Sequence, residues 1–85
     1  MQNSKKFKFK KAAEKFLKSR PRKDQVRLLA RIYKLPEGED IKKMTGYENY
    51  YRLRVGDYRI LYELHHGEML VVQINDIGNR GDIYK

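Results

Sequence analysis

One stretch, YYRLRVGDYRILYEL at residues 50–64, restricts what this chain can fold into more than any other. Two runs that alternate bulky apolar and polar residues meet at Gly56-Asp57, and a two-residue turn with glycine first matches the twist of an antiparallel pair. Such a turn sets the register: Val55 opposes Tyr58, Arg54 opposes Arg59, Leu53 opposes Ile60, Arg52 opposes Leu61 and Tyr51 opposes Tyr62. Side chains alternate along a strand, so Tyr51, Leu53, Val55, Tyr58, Ile60 and Tyr62 share one face, and it is the face to bury. The opposite face carries Tyr50, Arg52, Arg54 and Arg59, with two guanidiniums directly across from each other. Facing like charges cost a sheet about 0.2–1 kcal/mol, so stability does not select that pair. A single arginine whose stem covers the sheet while its head stays in water is ordinary. Three together beside a tyrosine supply forks for phosphate oxygens next to a ring on which a base can stack.

The flanking segments supply the rest of the sheet and its cover. KKFKFKK, residues 5–11, alternates lysine and phenylalanine as a half-buried strand does. Ala12, Ala13, Phe16 and Leu17 fall at helical spacing within residues 10–18, and SRPRKD ends that helix with Pro21 suited to the first turn of the next. The second helix is expected over residues 21–35, with Val26, Leu29, Ala30, Ile32 and Tyr33 as its buried stripe and a stop before Pro36. IKKMTG, residues 41–46, is ambiguous between a short strand and a continuation of the preceding polar loop, and its Lys42 and Lys43 face either a ligand or water.

LHHGEMLVVQIND, residues 64–76, closes a second hairpin through a loop centred on His66-Gly67-Glu68. With Leu70, Val72 and Ile74 on the buried face, Leu64 opposes Leu70, Asn75 opposes Arg59 and Asp76 lies level with Tyr58. GNRGDIYK then leaves the sheet at the rim beside Arg54 and Arg59, which brings Arg80 and Tyr84 to the arginine face. The expected fold is α+β in a single domain, residues 1–85: an N-terminal strand, a two-helix hairpin on one sheet face, then a three-stranded antiparallel meander.

Composition narrows the function. A chain of 85 residues buries only about 60% of its unfolded surface, so the core is small. Without cysteine there are no disulfides or thiolate metal sites, and no apolar run approaches the roughly 18 residues of a membrane span. A soluble cytoplasmic protein that does not engage membrane is the expectation. Residues 1–34 hold 13 Lys or Arg against Glu14 and Asp24, a local +11, whereas residues 35–85 hold 7 against 9 acidic residues, a local −2. A field of that sign favours nucleic acid or an anionic membrane surface, or simply keeps a small helical face soluble, and the arginine face decides for nucleic acid. Two adjacent histidines, His65 and His66, without spaced carboxylates do not make a typical metal site, and no phosphate-binding glycine loop or nucleophile elbow is present. No cofactor and no metal are expected.

GYENYYRLRVGDYRILYEL followed by IGNRGDIY, after a strand and two helices, resembles the RelE toxins of the RelE/ParE superfamily over nearly the whole chain. The resemblance implies the toxin of a type II toxin–antitoxin system, a ribosome-dependent endoribonuclease that cleaves mRNA codons in the ribosomal A site and is neutralised by a cognate antitoxin wrapped around it. By position, Arg59 matches the arginine that stabilises charge on the attacked phosphate, Arg80 the proposed general acid to the leaving 5′ oxygen, and Tyr84 the tyrosine that orients the substrate. Arg52 and Arg54 stand where the best-studied members have lysines. Arginine does not lose its proton in proteins, so these two act as charge clamps and not as a base.

Tyr50, Lys42, Lys43 and Asn75 complete the list of expected RNA contacts, and the basic helical region is expected to meet ribosomal RNA while the sheet face holds mRNA. RNA can be cut without metal because its 2′-OH can attack the adjacent phosphate, provided the protein aligns the attack, neutralises the growing charge and manages two protons. The arginines serve the second task. Glu63 and His65 lie four and six residues from Arg59, roughly 13 and 20 Å along a strand, and Glu48 lies beyond Tyr50, so none is a convincing base and the proton acceptor stays open. Two alternatives stay open: a ParE-like toxin that binds DNA gyrase, and a degenerate member that only binds RNA or antitoxin.

Overall fold

In the computed structural model, which describes residues 5–79, the elements in chain order are β1 (Lys5–Phe9), α1 (Lys11–Lys18), α2 (Arg22–Ile32), β2 (Ile41–Lys43), β3 (Tyr50–Val55), β4 (Tyr58–His65) and β5 (Leu70–Asn79). The strands form one sheet in the order β1-β5-β4-β3-β2, with β1 parallel to β5 and the remaining pairs antiparallel. This is the α+β arrangement of strand, two helices and antiparallel meander. The ambiguous IKKMTG segment contributes a short edge strand. Among the described residues no helix is long and apolar enough to cross a membrane.

The β3–β4 hairpin has the register its turn dictates, from Val55 opposite Tyr58 to Tyr51 opposite Tyr62. Gly56 takes φ +60°, the value the first position of a II′ turn requires. One face of the sheet, with Leu53, Val55, Tyr58, Ile60, Tyr62, Leu64, Val72, Ile74 and Ile77, is buried against Ala13 and Leu17 of α1, Leu28 and Ile32 of α2, and Leu35. Phe7 and Phe9 join it because the parallel register sets them beside Val72 and Ile74. The Tyr58 hydroxyl donates to the Asp24 carboxylate at 2.8 Å and ties α2 to the start of β4.

The helices depart from expectation in which residues they bury. Two apolar stripes overlap on α2, and the buried one is Leu28, Ile32 and, just past the helix, Leu35, while Val26 and Tyr33 are 58% and 51% exposed and Ala30 is exposed. Leucines and isoleucine remove more apolar area from water than valine, alanine and a tyrosine whose hydroxyl wants a partner, so the larger stripe turns inward. Ala12 of α1 is likewise exposed. Pro21 stands just ahead of α2, its carbonyl accepting the N–H groups of Asp24 and Gln25 at 2.9 and 3.0 Å. The helix ends at Ile32, three residues short of the expected stop, and Lys5 Nζ donates to the Leu35 carbonyl at 2.9 Å, a cation placed at the carbonyl end of a helix.

The β4–β5 register also differs. Leu64 pairs with Val72, not Leu70, so the connecting loop is longer than the expected one. A β-bulge then falls at Asn75, between the Tyr62–Ile74 and Leu61–Asp76 pairs. Beyond it Ile60 pairs with Ile77, Arg59 with Gly78 and Tyr58 with Asn79, which corrects the expected positions of Asn75 opposite Arg59 and Asp76 level with Tyr58. The single inserted residue reverses the alternation, so Ile77 enters the core and Asp76 stays exposed on the other face. An in-register strand would have buried the carboxylate and exposed the isoleucine.

Candidate nucleic-acid interface

The sheet face opposite the helices is built in rows that run across the strands. Arg54 of β3, Arg59 of β4 and Gly78 of β5 form the first; Lys42 of β2, Arg52, Leu61 and Asp76 the second; and Tyr50, Glu63, Gln73 and Lys8 of β1 the third. Lys42 thus stands opposite Arg52, a second facing pair of cations beside the first. Lys43 does not belong to this face, since its partner Tyr51 points to the helix side. Arg54 is exposed, whereas Arg59 on the central strand is only 6% exposed. A charge that is more desolvated acts more strongly on a phosphate beside it. Arg80 and Tyr84 lie outside the described residues, but Asn79 pairs with Tyr58, so β5 ends at the same rim as the Arg54–Arg59 row.

The third row has a different character. Asn75 Nδ2 donates to Glu63 Oε2 at 2.6 Å, and His65 Nε2 lies 2.9 Å from Glu63 Oε1. The Asn75 hydrogen bond, helped by His65 and by the charge of Lys10, holds the Glu63 carboxyl below the usual glutamate range despite partial desolvation. Tyr47 packs edge-on against Tyr50 with ring centroids 5.3 Å apart, and an open depression of about 300 Å³ lies between these rings, Glu48, Glu63 and Asn75. Asn75 therefore orients a carboxylate at the far end of the face and does not adjoin Arg59.

Three features of this face escaped the sequence. Lys6 and Lys8 reach it because β1 runs parallel to β5, a pairing with no local signal. Tyr47 meets Tyr50 across a loop in which Asn49 has φ +61°. Asp76 arrives through the bulge, for which the one available cue was that Ile77 is a better core residue than aspartate.

A toxin fold is what this layout matches. A sequence profile described as "ParE toxin of type II toxin-antitoxin system, parDE" matches residues 7–84, and the chain belongs to that RelE/ParE family of toxins. Within the family the solved structures lead to RelE. A chain of the RelB–RelE antitoxin–toxin complex from Methanococcus jannaschii shares 35% identity over 91% of this chain and 94% of its own, with a TM-score of 0.71. A chain of the RelE–RelB complex from Pyrococcus horikoshii OT3 shares 28% over 93% and 98%, with a TM-score of 0.73. A 25-residue segment is 68% identical to Toxin RelE3 of Methanocaldococcus jannaschii; it spans 29% of this chain and 28% of that protein.

Proposed function

We propose that the chain is a metal-independent endoribonuclease that cuts mRNA in the ribosomal A site by attack of a 2′-OH on the adjacent phosphate, and so arrests translation. The observation that carries this is the Arg54–Arg59 pair, set directly across two strands on the sheet face opposite the helices, with Arg52 and Lys42 in the next row. Four cations at strand spacing concentrate positive potential where a phosphodiester gains charge during attack, and that charge is greatest in the transition state. Arg59, Arg52 and Arg54 are the clamps. Arg80 is the general acid and Tyr84 the orienting ring, as the family resemblance implies. Tyr50 and Lys42 extend the RNA track along the face, and Asn75 fixes the carboxylate that bounds it.

The partners proposed are the ribosome with its mRNA and a cognate antitoxin, the last supported by relatives solved as RelB–RelE complexes. Val26 of α2 and Tyr33 just past its end stand exposed, and Tyr33 with Phe9, Leu17 and Leu29 lines a groove of about 190 Å³ that Glu14 and Lys18 border, a surface suited to an amphipathic segment of such a protein.

A second reading, a gyrase-directed toxin, is favoured by the ParE description of the matching profile. Mapping 5′ ends of cellular mRNA after brief induction separates the two. Wild-type protein is expected to produce cuts confined to translated codons, and Arg54→Ala combined with Arg59→Ala to remove them while the protein stays folded. Double-strand DNA breaks without mRNA cuts would establish the second reading instead.

A further inference from the structure

Among the described residues the clamp rows hold one carboxylate, and the bulge in β5 brings it there. We infer that Asp76 is the general base that takes the proton from the attacking 2′-OH, an inference that rests on the nuclease reading above. Asp76 pairs with Leu61, and Gly78 two residues later pairs with Arg59, so Asp76 is the diagonal neighbour of Arg59 across β4 and β5. Diagonal positions in an antiparallel pair lie about 7–8 Å apart at the backbone, a gap that a phosphodiester gripped by the Arg59 head and a carboxylate can close between them. Gly78 adds no side chain between the two.

The geometry is specific to the bulge. Without the extra residue at Asn75, Asp76 would point toward the helices and Ile77 toward the arginines. Bulges recur beside active sites because they re-aim a side chain at no cost to the strand beyond them. The charged groups that the register sets around Asp76 are Arg59 and Glu63 from β4 and Arg52 from β3 across Leu61, and Lys10, just past β1, adds its charge near Glu63. Glu63 is engaged by Asn75 and His65, and among the described residues Asp76 is the carboxylate of the clamp rows that is open to solvent.

In the step itself the 2′-OH proton passes to the Asp76 carboxylate as the O2′–P bond forms. The P–O5′ bond breaks with its electron pair on O5′, which is protonated by the general acid. The products are a 2′,3′-cyclic phosphate and a 5′-hydroxyl, and no redox change occurs.

The test is single-turnover cleavage of mRNA on programmed ribosomes by wild type, Asp76→Asn and Asp76→Glu as a function of pH. Asp76→Asn is expected to slow the cut by about 10²–10⁴-fold at saturating ribosome and to remove the fall in rate on the acid side. Asp76→Glu should retain that fall at a reduced rate, and half-saturation should stay within about threefold for both, since the change is in the chemical step. Asp76→Asn that cuts at the wild-type rate, or that loses only binding, overturns the inference and leaves the nuclease reading standing. A wild type that cuts no RNA overturns both.

Discussion

Arg54 and Arg59 face each other across two strands, yet their environments differ. Arg54 is exposed and the structure gives its backbone, through the N–H to the Asp40 carbonyl at 3.1 Å, a stronger tie than its side chain has reason to supply. Arg54→Ala therefore removes one half of a repulsive pair and little else. The variant is expected to match the wild type in chemical denaturation or to exceed it by up to about 1 kcal/mol, while losing activity. A loss above about 1 kcal/mol would mean that the arginine holds the fold together and is not kept for a ligand. The pair itself was readable from the sequence, because a two-residue turn leaves no freedom in register. The place of Asp76 was not, since one inserted residue at Asn75 decides it and nothing local announces a bulge.

At the level of elements, α2 shows how periodicity underdetermines a face. The expected stripe of Val26, Leu29, Ala30, Ile32 and Tyr33 repeats at helical spacing as well as Leu28, Ile32 and Leu35 do, and only the neighbouring sheet chooses: Ile32 is buried and Leu29 packs partly against the core, whereas Val26 and Tyr33 are exposed. Leu28→Ala, at a fully buried position, is expected to cost about 2–5 kcal/mol, whereas Val26→Ala should fall within about 0.5 kcal/mol of wild type. Equal costs in denaturant titrations would contradict the assignment of the buried stripe. The strands divide in the same way. β3 and β4 were legible because a short turn and strict alternation agree. The loop before β5 is longer than the motif suggested, and β1 joins the sheet through a parallel pairing across the whole chain. Non-local contacts of that kind leave no signature in a window of neighbouring residues.

Over the whole molecule the charge is distributed differently from what its position in the sequence suggested. Residues 1–34 carry the local +11, but Lys6 and Lys8 belong to the sheet face through β1, so the helices do not hold all of that field. The face opposite the helices thus has a cationic edge on both sides, Lys42 beyond β3 and the β1 lysines beyond β5, with Asp76 and Glu63 between them. Its outer positions suit a polyanion, and on the proposed nuclease reading its interior carboxylates serve the proton transfers. The helical side leaves Val26 and Tyr33 exposed, on the face opposite the arginines. If the arginine face promotes attack by an RNA 2′-OH, the cut ends carry the record: mass spectrometry of mRNA fragments from programmed ribosomes should find 2′,3′-cyclic phosphate upstream and 5′-hydroxyl downstream, and a 3′-hydroxyl with a 5′-phosphate would contradict it.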